Sequence, residues 1–353
     1  MTDSTPAVSL IIPNWNGAHH LVDCLDSLYD QCRNGVEVVV VDNASSDSSL
    51  ALLESRYPWV ARIALDDNLG FSAAVNAGIR ATSAPLVVLL NNDTRVAPDW
   101  LQQLVTGLNQ YPEASFAASK MLLFDPPHRI DSAGDHFSLL TGAGFNIGAG
   151  EPAEAHADPA WVLGACAGAA IYRRCLFEDI GLFDEDFFLV FEDVDLDLRA
   201  QVAGHRCIYL PDAVVYHKRG ASTDNTSRAV AARAWRNQIW VAGKNLPPLL
   251  LGWWSLIFVL ELIRLVIFSV IARMWRNLVQ RRKPPAVSAE ALDKSQPAPS
   301  WRQGTLVGHL WPEFRHALRL LPAKRREIQP LRRISSLRLL RILLKTRRPL
   351  EHS

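Results

Sequence analysis

Cysteine and methionine are scarce in this chain of 353 residues, at five and three respectively. The cysteines Cys24, Cys32, Cys166, Cys175 and Cys207 are odd in number and never stand in C-x-x-C spacing, which argues against a disulfide framework or a thiolate zinc site. A reducing cytosol is the expected compartment. No basic, apolar leader with a cleavage site opens the chain: residues 1–8 are short and polar and run into an apolar strand, so no export is expected. No internal repeat occurs. A glycine-rich basic loop after the first apolar run is also missing, Asn14-Trp15-Asn16-Gly17 standing there instead. A large net charge is lacking too, the formal value being +1. The sum hides an asymmetry. Residues 273–353 carry 19 Lys/Arg against 5 Asp/Glu, and residues 1–272 carry 18 against 31. A basic tail of this kind could meet nucleic acid or anionic lipid; the apolar stretch 249–272 just before it favours lipid, and no nucleic-acid partner is expected.

What is present is a regular alternation. Residues 8–13, 36–42, 60–65 and 86–90 are short aliphatic or β-branched runs that read as buried parallel strands. Helix-like segments at 18–29, 46–57 and 70–81 lie between them, the pattern of a doubly wound α/β half. Ligands in such sheets bind beyond the carboxyl ends of the strands, where this chain places Asn14 to Asn16, Asp42 to Ser45, Asp66 to Asn68 and Asn91 to Thr94. Residues 116–154, rich in Gly, Ala, Asp and Pro, read as a variable loop with a hairpin. An ordered block follows from Trp161 to His217, and 228–242 reads as helical. Stretch 249–272 contains Glu261 and Arg264, which fall on one helical face and can pair. It is expected to lie in the membrane interface with Trp253 and Trp254 at head-group depth. The division expected is a catalytic domain over 1–245, an apolar membrane-associated segment over 246–280, a Pro/Ala/Ser-rich linker over 281–300 and a basic amphipathic tail over 301–353.

Several strand ends carry groups suited to a nucleotide. Asp42 could accept the imide N–H of a pyrimidine base, with Asn43 beside it, although both residues equally suit capping of the helix that follows. Asn68 and Gly70 open a helix carrying Asn76, and a glycine turn at a helix start admits phosphate; a plain turn and cap explains them as well. Asp93, at the end of an aliphatic run, offers the hard oxygen that Mg²⁺ or Mn²⁺ prefers. Glu192 and Asp193 follow Phe187-Phe188-Leu189-Val190-Phe191, so the pair emerges from apolar surroundings that raise carboxylate pKa and make a better base; a solvated helix face is the plainer alternative. Asp193 is the candidate base and Glu192 a candidate for orienting the acceptor. His217, beside Lys218 and Arg219, could contact a metal or a diphosphate.

In order, the strings IIPNWN, VVVDNASSD, DNLGFSAAVNAG, LLNNDT, GACAGAAIYRR, FEDVDLDLR and YHKRGAS resemble glycosyltransferase family 2 over residues 8–245, most closely the bacterial rhamnosyltransferases that build O-antigen and other lipid-linked glycans. The resemblance implies a GT-A fold, an α/β architecture with a Rossmann-like nucleotide-binding half and a mixed sheet, followed here by membrane-associated C-terminal helices. It implies inverting transfer of a sugar, with L-rhamnose from dTDP-rhamnose as the first expectation, from a nucleotide diphosphate donor to a hydroxyl of a lipid-linked or cell-surface glycan. Pro13, Asn16, Asp42, Asn43, Asn68, Gly70, Asn76 and Asn92 would then line the nucleotide-sugar pocket, Asp93 and His217 would hold a divalent cation, and Asp193 would act as base. The site would work at the cytoplasmic face of the membrane, as a peripheral or monotopic protein near anionic lipid. Two departures stand out. The family's D-x-D reads Asn91-Asn92-Asp93, and the Q-x-x-R-W of processive synthases has only Arg233-Ala234-Trp235-Arg236 as its nearest string. A catalytically inactive nucleotide-sugar-binding scaffold and a sugar nucleotidyltransferase are the competing readings.

Overall fold

The computed structural model describes residues 6–32, 35–218, 228–281 and 306–350. The four aliphatic runs form strands β1 (Val8–Asn14), β2 (Val36–Asp42), β3 (Ala61–Ala64) and β4 (Leu86–Leu90). They pair in parallel in the order β3-β2-β1-β4. Helices α1 (Ala18–Leu28), α2 (Ser49–Arg56) and α3 (Gly70–Ala81) connect them. Successive side chains on a strand point to opposite faces, and both faces of β1, β2 and β4 are covered, whereas β3, expected from its sequence to be buried, lies at the sheet edge with most of its residues exposed. Leu10, Ile12, Val38, Val40, Val88 and Leu90 enter one core, while Ile11, Val39, Val41, Val87 and Leu89 enter the other.

Beyond β4 come β5 (Thr94–Val96), α4 (Trp100–Gln110), β6 (Phe116–Leu123), β7 (Ile130–Ser132), β8 (Asp135–Phe137), β9 (Gly144–Asn146), β10 (Ala160–Val162), β11 (Ala169–Arg173), α5 (Arg174–Ile180), α6 (Glu192–Val202) and β12 (Cys207–His217). The sheet continues past β4 as β11-β6-β12-β10. β11 runs antiparallel to both β4 and β6, and β12 runs parallel to β6, which makes the sheet mixed. The sequence expectation for 116–154 is corrected at its start. Phe116–Leu123 is a core strand rather than loop, buried along nearly its whole length. Its pairing with β11 on one side and β12 on the other is long-range and not visible in composition; Phe116 stacks on Tyr172 at 5.7 Å, and Ser119 accepts the indole N–H of buried Trp100 at 2.9 Å. The expected hairpin is present as β8–β9.

The C-terminal part contains α7 (Arg228–Asn245), α8 (Pro248–Arg281), α9 (Leu306–Ile328) and α10 (Ser336–Leu343). The expected linker falls, apart from Arg281, outside the described residues. The tail does not stand apart from the body. Ala317, Leu339, Ile342 and Leu343 share a core with Leu163, Leu198 and Trp240, and its cations face the acidic body. Lys324 contacts Asp184 and Asp186, Arg333 clasps Asp179, and Arg347 donates to the Asp158 carbonyl. Helix α8 docks through its first turns, Leu250, Trp254 and Phe258 entering that core. Trp254 is buried with its N–H on the Gly142 carbonyl, which corrects its expected head-group position; half-exposed Trp253 donates to the Leu139 carbonyl. Glu261 and Arg264 pair at 2.7 Å, as their spacing predicts. Among the described residues no helix is long and apolar enough to cross a membrane.

Candidate active site

The carboxyl ends of β1, β2 and β4 meet at a cleft of about 180 Å³ lined by Pro13, Trp15, Asn43, Asn68, Gly70 and Asn92, with Phe188 and Leu189 closing one side. Parallel register sets Asn14 opposite Asp42. The strand-end amides and acids form one network. Asn92 donates to Asn14 Oδ1 at 2.7 Å, and Asn14 donates to Asp42 Oδ2 at 2.9 Å. Asn43 donates to Asn68 Oδ1 and to the Gly70 carbonyl, each at 3.0 Å.

Of the residues expected to face a nucleotide, Pro13, Asn43, Asn68, Gly70 and Asn92 line the cleft. Three do not. Asp42 is 1% exposed, its carboxylate engaged by Asn14 and by the Ser45 N–H, so it braces the turn that presents Asn43. Asn16, at φ +49°, spends its side-chain oxygen on Ser46. Asn76 is buried and bridges α3 to Phe183 and Glu185. Gly70 has a stringent reason to be glycine: at φ +87° an added Cβ would stand 2.4 Å from the Phe188 carbonyl oxygen.

Asn91 and Asn92 lead directly to Asp93, which is 3% exposed. Its buried Oδ1 lies 3.3 Å from Nε2 of His217. The antiparallel pairing of β5 with β12 fixes this approach by setting His217 opposite Thr94. Nδ1 of the same imidazole meets Asp131 Oδ2 at 2.6 Å. Burial would raise the Asp93 pKa, but hydrogen bonding and charge from His217 hold it below the ordinary carboxylate value. Burial lowers His217 in turn, and Asp131 and Asp93 outweigh that to push it up to about 9. Asp93 Oδ1 and His217 Nε2 face each other at 3.3 Å, with the other ring nitrogen on Asp131; once a cation displaces the Nε2 proton, this carboxylate oxygen and imidazole nitrogen are the donor set of a histidine–carboxylate metal site. The residues present therefore fit a hard divalent cation. Arg219, expected beside this loop, lies outside the described residues.

Asp193 stands at the start of α6, bordering a second cavity of about 210 Å³ lined by Asp135, Phe145, Asn146, Val190, Phe191 and Glu192. Its oxygens accept from the N–H groups of Val194 at 2.8 Å and Ala167 at 3.4 Å. Gly168, next in that turn, accepts from the Asn91 N–H at 2.9 Å, so one short segment ties the second cavity to the first. Asp135, Cys166 and Asp193 have side-chain atoms within 4.8 Å of one another. Burial raises Asp193 above its ordinary value. Burial, then the charge of Asp193, pushes Glu192 up to about 8 and leaves Asp135 and Asp197 well above the carboxylate range. Glycine is again required nearby: a Cβ on Gly164 would meet Asp197 Cγ at 1.7 Å.

Between the two cavities runs Phe188–Phe191, in which Phe188, Val190 and Phe191 all have φ between +64° and +72°. Such backbone is costly for non-glycine residues and persists only where the surroundings enforce it. Here Asn237 of α7 donates to the carbonyls of Phe187, Leu189 and Val190, and Arg236 donates to those of Asp186 and Phe187. The sequence reading did not assign functions to Asp131, Asp135, Asn14 or Asn237. Asn14 is marked by sequence only as a strand-end residue, and Arg236 only as part of a motif that fails to match.

Residues 9–181 match the family model for glycosyl transferase family 2. The chain is 27% identical over 283 residues to an N-acetylglucosaminyl-diphospho-decaprenol L-rhamnosyltransferase of Mycobacterium tuberculosis, covering 72% of this chain and 87% of that protein. It is 31% identical over 228 residues to the O-antigen biosynthesis protein RfbC of Myxococcus xanthus, covering 62% of this chain and 18% of the longer protein. Among solved structures, the mannosyltransferase PcManGT of Pyrobaculum calidifontis, in complex with GDP-Man and Mn²⁺, superposes with a TM-score of 0.51 at 18% identity, covering 92% of this chain and 88% of that one. The likeness is one of fold, a GT-A-like α/β domain with a mixed sheet. Residues 9–181 of this chain thus form a glycosyl transferase family 2 domain.

Proposed function

We propose that the chain is a divalent-cation-dependent, inverting transferase that moves a sugar from a nucleotide diphosphate donor to a hydroxyl of a lipid-linked glycan, with L-rhamnose from dTDP-rhamnose as the first donor to test. The observation that carries the reading is the pair of cavities flanking the 188–191 loop: one is lined by Asn91 and Asn92, which lead directly to Asp93 with His217 beside it, and the other is bordered by Asp193. The donor's nucleotide lies along Pro13, Asn43, Asn68 and Asn92. Its diphosphate reaches Asp93 and His217, which would hold Mg²⁺ or Mn²⁺; the bound cation would neutralise the charge of the departing diphosphate. From the opposite side the acceptor hydroxyl approaches Asp193, which takes its proton as the oxygen attacks the anomeric carbon. Glu192, held protonated at neutral pH, can donate to an acceptor oxygen. The rhamnosyltransferase relative, whose name specifies a lipid-linked acceptor, supports the choice of sugar and acceptor. We place the enzyme at the cytoplasmic membrane surface, where the exposed apolar face of α8 would find lipid. A screen of nucleotide sugars with Mg²⁺ or Mn²⁺ tests the reading. Donor-dependent release of nucleoside diphosphate is expected, whereas pyrophosphate would indicate a nucleotidyltransferase and no release from any donor an inactive scaffold.

A further inference from the structure

A third cavity, of about 510 Å³, lies behind the acceptor side, with Leu139, Leu140, Phe145, Leu250, Trp253 and Leu344 on its walls. It is assembled from three separate parts of the chain: the β8–β9 hairpin, the first turns of α8, and α10 with the residue after it. Phe145 borders this groove and also the cavity of Asp193. The hairpin is the partition. Asp135 and Asn146, opposite one another in register, lie on the catalytic side, while His136, opposite Phe145, lies on the groove side. His136 and Phe145 meet edge to face at 5.3 Å. Burial pushes His136 down to about 4, so this wall is uncharged at neutral pH. From Trp253 onward α8 leaves Leu256, Leu260, Ile263 and Ile267 exposed, extending the apolar surface away from the groove.

An acid-lined cavity that shares one aromatic wall with a groove walled by leucines, itself continued by an apolar helix, suits a molecule with a polar reacting end and a long hydrocarbon end. We propose that this groove binds the polyprenyl chain of the acceptor, seating its first isoprene units while the sugar hydroxyl reaches Asp193. The proposal rests on the lipid-linked acceptor of the preceding reading and adds where the lipid lies. The groove then acts as a ruler. It rewards acceptors whose chain is long enough to pass Phe145, and it holds the sugar against leaving the catalytic cavity.

The test uses the full chain in detergent, with N-acetylglucosaminyl-diphospho-decaprenol and its butyl analogue as acceptors. The wild type is expected to prefer the decaprenyl acceptor by about tenfold or more in kcat/KM, as burial of a few methylene groups allows. Leu140 and Leu344 are 77% and 68% exposed, so Leu140→Asn and Leu344→Asn should fold; each is expected to lower the long-to-short ratio several-fold, and Leu344→Met to preserve it. Equal use of both acceptors by the wild type, or an unchanged ratio in both Asn variants, overturns the groove while leaving sugar transfer intact. Variants that alter the oligomeric state without altering the ratio would likewise overturn it and assign this face to a second copy of the chain. Nucleoside diphosphate release with neither acceptor glycosylated would instead overturn the acceptor assignment beneath it.

Discussion

Replacing Asp193 by asparagine should abolish transfer and stabilise the protein, two outcomes that a purely structural acid would not give together. The amide keeps the shape but cannot take the hydroxyl proton, and loss of a general base costs about 10²–10⁴-fold in rate. Donor binding should persist, because none of the residues that line the first cavity is altered. Trp15, 46% exposed in that cleft, provides a fluorescence probe of donor binding. The stability gain follows from the cluster. Two unit charges separated by 4.8 Å, the span within which Asp135 and Asp193 lie, repel by roughly 3 kcal/mol at an effective dielectric constant of about 20. Burial and the charge of Asp193 favour the neutral form of Asp135, which hydrogen-bonds Asp193 and relieves most of this, so the gain at pH 7 should be about 1 kcal/mol, or roughly 2–4 °C in Tm.

The sign with pH provides a further check. Glu192, Asp135 and Asp197 are all raised in the fold, in part by the charge of Asp193. An acid raised in the folded state contributes stability below its unfolded value and loses it as pH rises toward the folded value. Relaxing these shifts in Asp193→Asn should therefore make its thermal stability fall less than that of the wild type between pH 5 and pH 8. Thermal unfolding at several pH values, alongside steady-state release of nucleoside diphosphate, measures both effects. A variant keeping more than about half its turnover, or one that melts lower at every pH, would refute the assignment.

Asp93→Ala should lose turnover and Mn²⁺ binding together, and full activity of the wild type in excess chelator would contradict the cation's role. Asp131→Asn should weaken Mn²⁺ about 10–100-fold in a direct titration by removing the carboxylate that orients His217. Asp184, despite burial, is held below the usual carboxylate range by Lys244 and Lys324, so Asp184→Asn should destabilise by about 3 kcal/mol in urea unfolding at pH 7. Its contribution is present above the unfolded carboxylate pKa and lost as pH falls through the folded one, so variant and wild type should converge in acid. Asn237→Ala should raise KM for donor and acceptor alike by freeing a loop that belongs to both cavities, and a change confined to kcat would count against that bracing role.

The parallel half was legible because its signals are local: four aliphatic runs with polar residues just past their ends define strands and a cleft whatever the rest of the chain does. Asp93, Asp193 and His217 were likewise marked by position, each emerging from an apolar run. Their partners were not. Asp131 and Asp135 sit in a segment that reads as a loop, and their relevance depends on β7 pairing with β6 and on β12 running beside it, which are long-range contacts. Asp42 and Asn43 show the limit most clearly. Asp42 ends β2 and Asn43 is the first residue beyond it, and the sequence does not reveal that the acid turns inward while the amide faces the cleft.

The basic tail teaches a related lesson about charge. A segment with a large excess of Lys and Arg beside an acidic body satisfies two descriptions equally well, one in which the cations face lipid and one in which they face the body. Composition does not separate them. The apolar positions do: Leu339, Ile342 and Leu343 fall three and one residues apart on α10 and are buried, while Leu337 and Leu344 remain exposed. The helix thus spends one apolar stripe on the core it shares with Leu163 and Leu198 and leaves Leu344, the residue after it, on the wall of the third cavity. Lys324 and Arg333 pin the same segment to Asp184 and Asp179. Charge pairing and burial therefore act together, turning what reads as a separate appendage into one wall of that groove.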